Sequence, residues 1–358
     1  MSQFNRVSLE IYQAVNQRAY QEDRWVAQPV AEGYLLAVFD GHGRDTVAEL
    51  ASEKFAHYFK QGLRRELPVQ IEDDRVRLSG FMHSISEQAI DAYINANQLL
   101  ITDRQREEYT DHGLITDDGI ARELGRECMV AQLNAYHWDE LNSDDPDYGI
   151  HDALRQTVNQ LISDCSHFRH AGSTLSMAYI VPSRQNLKVY TAQLGDSAVV
   201  ILSPDKQLHV TNEHSVATCK ADRAIIQNKI DEIQKNVKPG YWLRAVRLED
   251  QYLMIGPGPE GQTGIAVTRA LGDSCFNGLM IREAELQDFT VPIDSLVLGM
   301  TDGVHNNGDL EDRHSAYREI AERLQAAHSL QTIGNDLVNR EDIIDNVTIV
   351  SVRMADMP

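Results

Sequence analysis

Six stretches, 34–39, 175–181, 187–194, 198–202, 295–300 and 347–352, are short apolar runs rich in Val, Ile, Leu and Tyr, and they predict strands. A further strand is expected to start at Trp25-Val26. Between the strands the apolar spacing changes to three and four. Val47, Leu50, Ala51, Phe55, Tyr58 and Phe59 share one face of a helix, as do Ala153, Leu154, Val158, Leu161, Ile162 and Cys165, so both helices should pack against a sheet. Helical spacing also runs through 81–138, with Phe81, Ile85, Ile90, Tyr93 and Ile94 in one piece and Ile120, Leu124, Cys128 and Leu133 in another. The connectors at 102–119 and 139–149 are acidic and read as solvated loops. One more helix is predicted over 217–237, followed by a Gly- and Pro-rich mobile surface loop at 256–264.

Composition agrees with a mixed globular fold. Hydrophobic residues make up 42% of 358, with only 22 Gly and 10 Pro, which excludes a disordered or collagen-like chain. Charge narrows the partners: 33 Lys and Arg against 54 Asp and Glu leave a net charge of −21, the wrong sign for releasing counterions from a nucleic acid. No apolar run approaches the ~20 residues that cross a bilayer, so no membrane insertion is expected. The first residues, MSQFNRVSLE, lack the plan of a leader peptide. A cytoplasmic, reducing location is the expectation, with leaderless export left open. Cys128, Cys165, Cys219 and Cys275 are scattered and form no C-x-x-C pair, so buried free thiols are expected rather than disulfides or a zinc knuckle.

The candidate chemistry is carboxylate chemistry. The predicted strand 34–39 runs into Asp40-Gly41-His42-Gly43, and the strand 295–300 runs through Thr301 into Asp302-Gly303. Asp-Gly is a common turn dipeptide, so either pair alone is a turn. Together they place two carboxylates just beyond buried strands, where both can reach one ion. Asp345-Asn346 precedes the last predicted strand, Glu22-Asp23 precedes Trp25, and Asp196 lies in the turn Leu194-Gly195-Asp196-Ser197. Several carboxylates with few Cys or His around them suit hard, oxygen-preferring cations such as Mg²⁺ or Mn²⁺. The stretch Asp145-Pro146-Asp147-Tyr148-Gly149 lacks the alternating ligands and closing Glu of a calcium loop.

The ordered set Arg18-x-x-x-Glu22-Asp23, Asp40-Gly41-His42-Gly43, Gly172-Ser173-Thr174, Gly195-Asp196-Ser197, Thr268-Arg269-Ala270-Leu271-Gly272-Asp273, Asp302-Gly303 and Asp345-Asn346 resembles the metal-dependent PP2C (PPM-type) protein Ser/Thr phosphatases. The resemblance spans 16–353. It implies an α+β fold, an α-β-β-α sandwich of two antiparallel sheets flanked by helices. The whole chain, 1–358, is then one phosphatase domain with a helical insertion at about 81–147. It also implies two Mg²⁺ or Mn²⁺ ions at one end of the sandwich. Asp40 would bridge them, with the Gly41 carbonyl on one, Asp302 and Asp345 on the other, and Glu22 and Asp23 acting directly or through water. Asp196 matches a ligand of a weaker third ion. Arg18 takes the phosphate-binding position and His42 that of the general acid, while a metal-activated water attacks phosphorus in phosphoserine or phosphothreonine. Divalent ions make physical sense of such a site, because they reverse the local charge for a phosphate dianion and lower the pKa of water from ~15.7 towards neutrality. No cysteine lies in a Cys-x5-Arg loop, so a thiol nucleophile is not indicated.

Departures from the family pattern bear on the site's periphery. Ala198 stands where the family commonly has Arg after Gly195-Asp196-Ser197, and Asn306 stands where it has a second Asp after Asp302, which weakens a third ion. About 130 positions separate His42 from Gly172, longer than the family needs, and long insertions often carry function. The insertion is therefore a candidate surface for a protein partner. The alternative reading is a catalytically weak regulatory or binding module that acts through it, and a third is a phosphatase of small phosphate esters. His305, His167 and His170 read as structural, and Gly172-Ser173-Thr174 and the segment 268–273 as packing and turn elements rather than reacting groups. The segment 217–264 carries little specific similarity, so substrate preference is not legible there.

Overall fold

The computed structural model describes residues 7–63, 69–72, 75–78, 148–236, 246–256, 263–305 and 310–354. The first stretch forms β1 (Val7–Ala14), β2 (Arg24–Val30), β3 (Gly33–Phe39), the two-residue β4 (Gly41–His42) and helix α1 (Thr46–Leu63). A hairpin follows, β5 (Val69–Glu72) with β6 (Arg75–Leu78). Helix α2 (Tyr148–Asp164) leads to β7 (Gly172–Ser173), β8 (Leu175–Pro182), β9 (Asn186–Leu194), β10 (Ala198–Leu202) and β11 (Leu208–Val210). After helix α3 (Lys220–Asn236) come β12 (Arg247–Leu248), β13 (Leu253–Ile255), β14 (Thr263–Ile265) and β15 (Leu271–Gly272). The last stretch holds β16 (Glu285–Pro292), β17 (Leu296–Met300), helices α4 (Leu310–Gln325) and α5 (Leu330–Val338), and β18 (Val347–Met354).

Two five-stranded antiparallel sheets carry the fold, one in the order β1-β18-β17-β10-β11 and the other β16-β9-β8-β3-β2. The period of two explains how they stack. Val199, Ile201, Val297, Val350 and Val352 meet Leu36, Val38, Ala178, Ile180 and Val189 between the sheets. The alternate positions Ala198, Val200, Leu202, Leu298 and Met300 face outward onto Tyr317, Ile320 and Leu324 of α4 and Ile333 and Leu337 of α5. Helix α1 covers the other sheet, with Phe55 edge-on to Phe39 at 5.6 Å and Phe59 edge-on to Tyr179 at 4.9 Å between ring centres. Strands buried on both faces are largely apolar, which is why β3 and β10 read as continuous runs. This is the expected α-β-β-α sandwich.

The chain divides into two compact units, 1–60 with 154–358, and 61–153. The whole of the predicted insertion, 81–147, including the helical pieces over 81–138, lies outside the described residues. Several expected boundaries shift. The helix predicted from 217 starts at Lys220, the strand predicted from 295 starts at Leu296, and Thr263-Gly264 belongs to β14 rather than to a loop. Of the expected buried thiols, Cys165 is buried, whereas Cys219 and Cys275 are partly exposed; all three are free, and Cys128 lies outside the described residues. Among the described residues no helix is long and apolar enough to cross a membrane.

Candidate functional site

Five strand termini bring the predicted carboxylates together. Asp40 follows β3, Asp302 opens a single 3-10 turn just past β17, Asp345 stands before β18, Glu22 and Asp23 precede β2, and Asp196 lies in the turn between β9 and β10. Asp40 is within side-chain hydrogen-bonding reach of Asp302 and feels the charges of Asp23 and Asp345. Burial first, and then those like charges, hold the Asp40 carboxyl well above its usual range. Asp23, 1% exposed, is pushed up to about 7 by burial, opposed by hydroxyl hydrogen bonds and reinforced by Asp302 and Asp345. Asp196 is pushed up to about 8, again by burial first and then by Asp302 and Glu213. Burial likewise raises Glu22, against the opposing pull of Arg18 and His42.

Neutral side chains fix this frame. Thr174 Oγ1 accepts from the Asp40 amide at 3.1 Å while the Thr174 amide donates to the Asp40 carbonyl at 2.9 Å, and Thr174 Oγ1 also meets Ser197 Oγ at 2.7 Å. Thr301 Oγ1 donates to Asp23 Oδ2 at 3.0 Å. Asn346 joins the loop before β2 to the entrance of β18: its Oδ1 accepts from the Glu22 amide at 2.7 Å and its Nδ2 donates to the Val15 and Tyr20 carbonyls at 2.8 and 3.2 Å. Gly303 lets the Asp302 turn approach that entrance, since a Cβ there would lie 1.8 Å from the Asn346 carbonyl oxygen.

Arg18, 48% exposed, reaches over the cluster to pair with Asp345. Glu22 and Asp302 add their attraction for its guanidinium. His42 is half-buried, and its Nε2 meets Asp273 Oδ2 at 2.6 Å. Burial pushes the His42 imidazole pKa down, but the Asp273 hydrogen bond and charge, with Asp196 and Glu22, outweigh it and the net shift is upward. All eight predicted side chains, Arg18, Glu22, Asp23, Asp40, His42, Asp196, Asp302 and Asp345, thus act on one another in one locality, with the backbone of Gly41 buried beside Asp40.

Among the described residues, no group of three or more His, Cys, Asp or Glu side chains is arranged so that it could hold an ion as the side chains lie. Asp345 instead accepts from Arg18 and from the Asn346 amide, and Asp23 accepts from Thr301. The donor chemistry nevertheless fits a hard divalent cation. Every side-chain donor is an oxygen, like charges crowd together, and Asp23 Oδ1 is buried with no hydrogen-bond partner. Positive charge would relieve all three carboxyl groups whose ionisation burial opposes most.

Other readings resolve as structure. His305 Nε2 meets the Tyr317 hydroxyl at 3.0 Å, and that hydroxyl donates to Glu213 Oε1 at 2.9 Å beside the buried Arg313–Glu213 pair at 2.7 Å. His167 lies against Phe168, with ring centres 4.0 Å apart and the planes tilted by 36°. Ala198 is buried opposite Met300 on β17, and Asn306 lies outside the described residues. The segment 268–273 holds a surprise. Arg269 forks onto the buried Asp222 as a packing element should, but Asp273 touches His42. Sequence reasoning missed that contact and the three-way hold of Asn346; the motif that contains each residue was their only signal.

An antiparallel sandwich flanked by helices, with carboxylates gathered from distant strand ends, defines the phosphatase-2C type of fold. A family model described as Protein phosphatase 2C matches residues 13–338, and the chain belongs to that family. The matched span includes every candidate site residue except Asp345. The chain is similar to "Probable protein phosphatase 2C 11" of Arabidopsis thaliana, 27% identical over 207 residues that cover 57% of this chain and 47% of that protein. It therefore spans about half the length of this relative. Among solved structures it resembles a C. elegans sex determining protein, with 17% identity, a TM-score of 0.54, and coverage of 98% of this chain and 65% of that one. It also resembles serine-threonine phosphatase 2C from Toxoplasma gondii, with 16% identity, a TM-score of 0.52, and coverage of 98% and 96%. At these identities the structural likeness speaks to the fold.

Proposed function

We propose that this chain is a Mg²⁺- or Mn²⁺-dependent protein phosphatase that hydrolyses phosphoserine and phosphothreonine. The observation that supports this best is the gathering of Asp40, Asp302, Asp23 and Asp345 from four separate strand ends. Asp40, the Gly41 carbonyl, Asp302, Asp345, Glu22 and Asp23 would hold two ions, and Asp196 a weaker third. When bound, divalent ions supply the positive charge that lets a phosphate dianion enter an acidic site, and they acidify water at neutral pH.

The chain's own groups do the rest. Thr174 and Asn346 hold the Asp40 and Glu22 segments in place, so little reorganisation accompanies substrate entry. Arg18 lies at the exposed rim, where its guanidinium fork can turn from Asp345 to two phosphoryl oxygens. His42, held against the buried Asp273, is placed to give a proton to the departing serine or threonine oxygen.

Phosphate release from a phosphoserine peptide with Mn²⁺, repeated with EDTA and with Asp40→Ala and Asp302→Ala, tests the reading. Turnover that needs the ion and both carboxylates is the expected result. Turnover that survives chelation or either substitution contradicts it. No turnover at saturating Mn²⁺ would leave the regulatory-module alternative.

A further inference from the structure

We infer that Asp273 is the positioning residue of His42, and that His42 therefore delivers its proton from Nδ1. The inference rests on the phosphatase reading and deepens it.

A small three-stranded sheet, β15-β7-β4, sets the geometry. His42 pairs with Gly172 on one side, and Gly272 pairs with Gly172 on the other, so His42 and the residue after Gly272 face each other across a single glycine. Gly172 leaves the gap through which their side chains meet. A Cβ there would stand 1.9 Å from Asp273 Oδ2 and 2.5 Å from His42 Nε2. The side-chain bond, 2.6 Å long, fills that gap.

Asp273 is itself held firmly. It adopts left-handed backbone angles, φ 49 and ψ 45, a region that asparagine and aspartate tolerate better than most residues. Its amide donates to the Ala171 carbonyl at 2.9 Å, and its own carbonyl accepts from the Phe276 amide at 2.9 Å and from Arg282 Nη2 at 3.1 Å. The carboxylate is buried, at 4% exposure, whereas the His42 ring is 34% exposed. A buried acceptor on Nε2 fixes both the ring plane and the tautomer, as a carboxylate does behind other proton-transferring histidines. With Nε2–H committed to Asp273, Nδ1 is the nitrogen left to serve the reaction.

The proton balance is simple. As an attacking water oxygen bonds to phosphorus, the bond from phosphorus to the serine oxygen breaks, and the Nδ1 proton passes to that oxygen to give the free hydroxyl. The ring, an imidazolium before the transfer, is left as neutral imidazole with its Nε2–H on Asp273. The proton shed by the attacking water goes to bulk solvent, from which Nδ1 is recharged.

Leaving-group dependence separates this role from a structural one. Serine leaves poorly without a proton, whereas p-nitrophenol leaves without help. Asp273→Ala and His42→Ala should each lower kcat on a phosphoserine peptide by about tenfold or more, with a much smaller loss on p-nitrophenyl phosphate. The double variant should be no worse than His42→Ala. Asp273→Asn, nearly isosteric, provides a folded protein if the alanine variant melts, and it should show the same substrate-dependent loss because it lacks the charge that holds Nε2–H. Equal losses on both substrates, or losses that multiply in the double variant, would overturn the pairing. So would an Asp273→Asn enzyme that matches wild type while His42→Ala is selective, and that result would leave the phosphatase reading intact. A wild-type protein inactive on both esters with Mn²⁺ would overturn the reading and the pairing together.

Discussion

Asp40 is clamped at both of its backbone groups by Thr174, which accepts from the Asp40 amide at 3.1 Å and donates to the Asp40 carbonyl at 2.9 Å. The side-chain half of this clamp depends on one hydroxyl. Thr174→Val keeps the shape but leaves the Asp40 amide without its acceptor, a loss of about 1–3 kcal/mol when the donor is buried. Because the clamp aims a proposed ligand, the apparent affinity for Mn²⁺ should also fall, by about 10–100-fold, the range seen when outer partners of metal ligands are removed. Calorimetric titration with Mn²⁺ and a thermal melt read the two effects.

Gly303 allows the Asp302 turn to lie against the Asn346 carbonyl. Gly303→Ala puts a methyl 1.8 Å from backbone that cannot rotate away. Overpacking of this kind costs about 1–3 kcal/mol, and here it would also drive Asp302 away from Asp345. The variant should melt lower than wild type and lose Mn²⁺-dependent turnover.

The Asp222–Arg269 pair gives a pH dependence with a definite sign. Asp222 is buried; burial raises its pKa, but the hydrogen bonds from Arg269 and Thr268 outweigh that and hold the carboxyl below its ordinary value. A depressed carboxylate stabilises the fold fully above the unfolded value, about 3.9, and loses that contribution as the pH falls through the lower folded value. Asp222→Asn should therefore melt below wild type at pH 7, with the gap closing as the pH is lowered from 5 towards 2. A gap that widens in acid would contradict the assignment.

Net charge predicts substrate preference. At −21, the surface around the site should repel acidic phosphopeptides and attract basic ones. At low salt, kcat/KM should favour a phosphoserine flanked by Lys and Arg over one flanked by Asp and Glu, and added salt should narrow the difference. Equal values at low salt would contradict it.

Much of the fold was legible because its central strands are buried on both faces. The seven residues of β3 and the five of β10 are buried throughout, so an apolar run was enough to reveal them. The edge strands β1 and β16 were not legible. Each exposes Ser, Glu, Asp or Thr along much of one face, and such a mixture reads as loop until its partner is known. Helix α4 is rich in charge, and its buried stripe includes Arg313, which hides the apolar spacing. At the site, Asp40, Asp302 and Asp345 stood out because carboxylates at the margins of apolar runs are easy to see. Asp273 and Asn346 did not, because their partners are remote. Asp273 reaches His42 across 231 positions and Asn346 reaches Glu22 across 324, and no local pattern records either contact.

The central claim is that acidic residues from distant strand ends hold a pair of divalent ions. A crystal soaked in Mn²⁺ and measured by anomalous scattering tests it most directly. The account predicts two strong peaks sharing Asp40, with Asp302 and Asp345 around one of them. A map with no peak at Asp40, or with Asp302 and Asp345 turned away from the ions it does show, would contradict it.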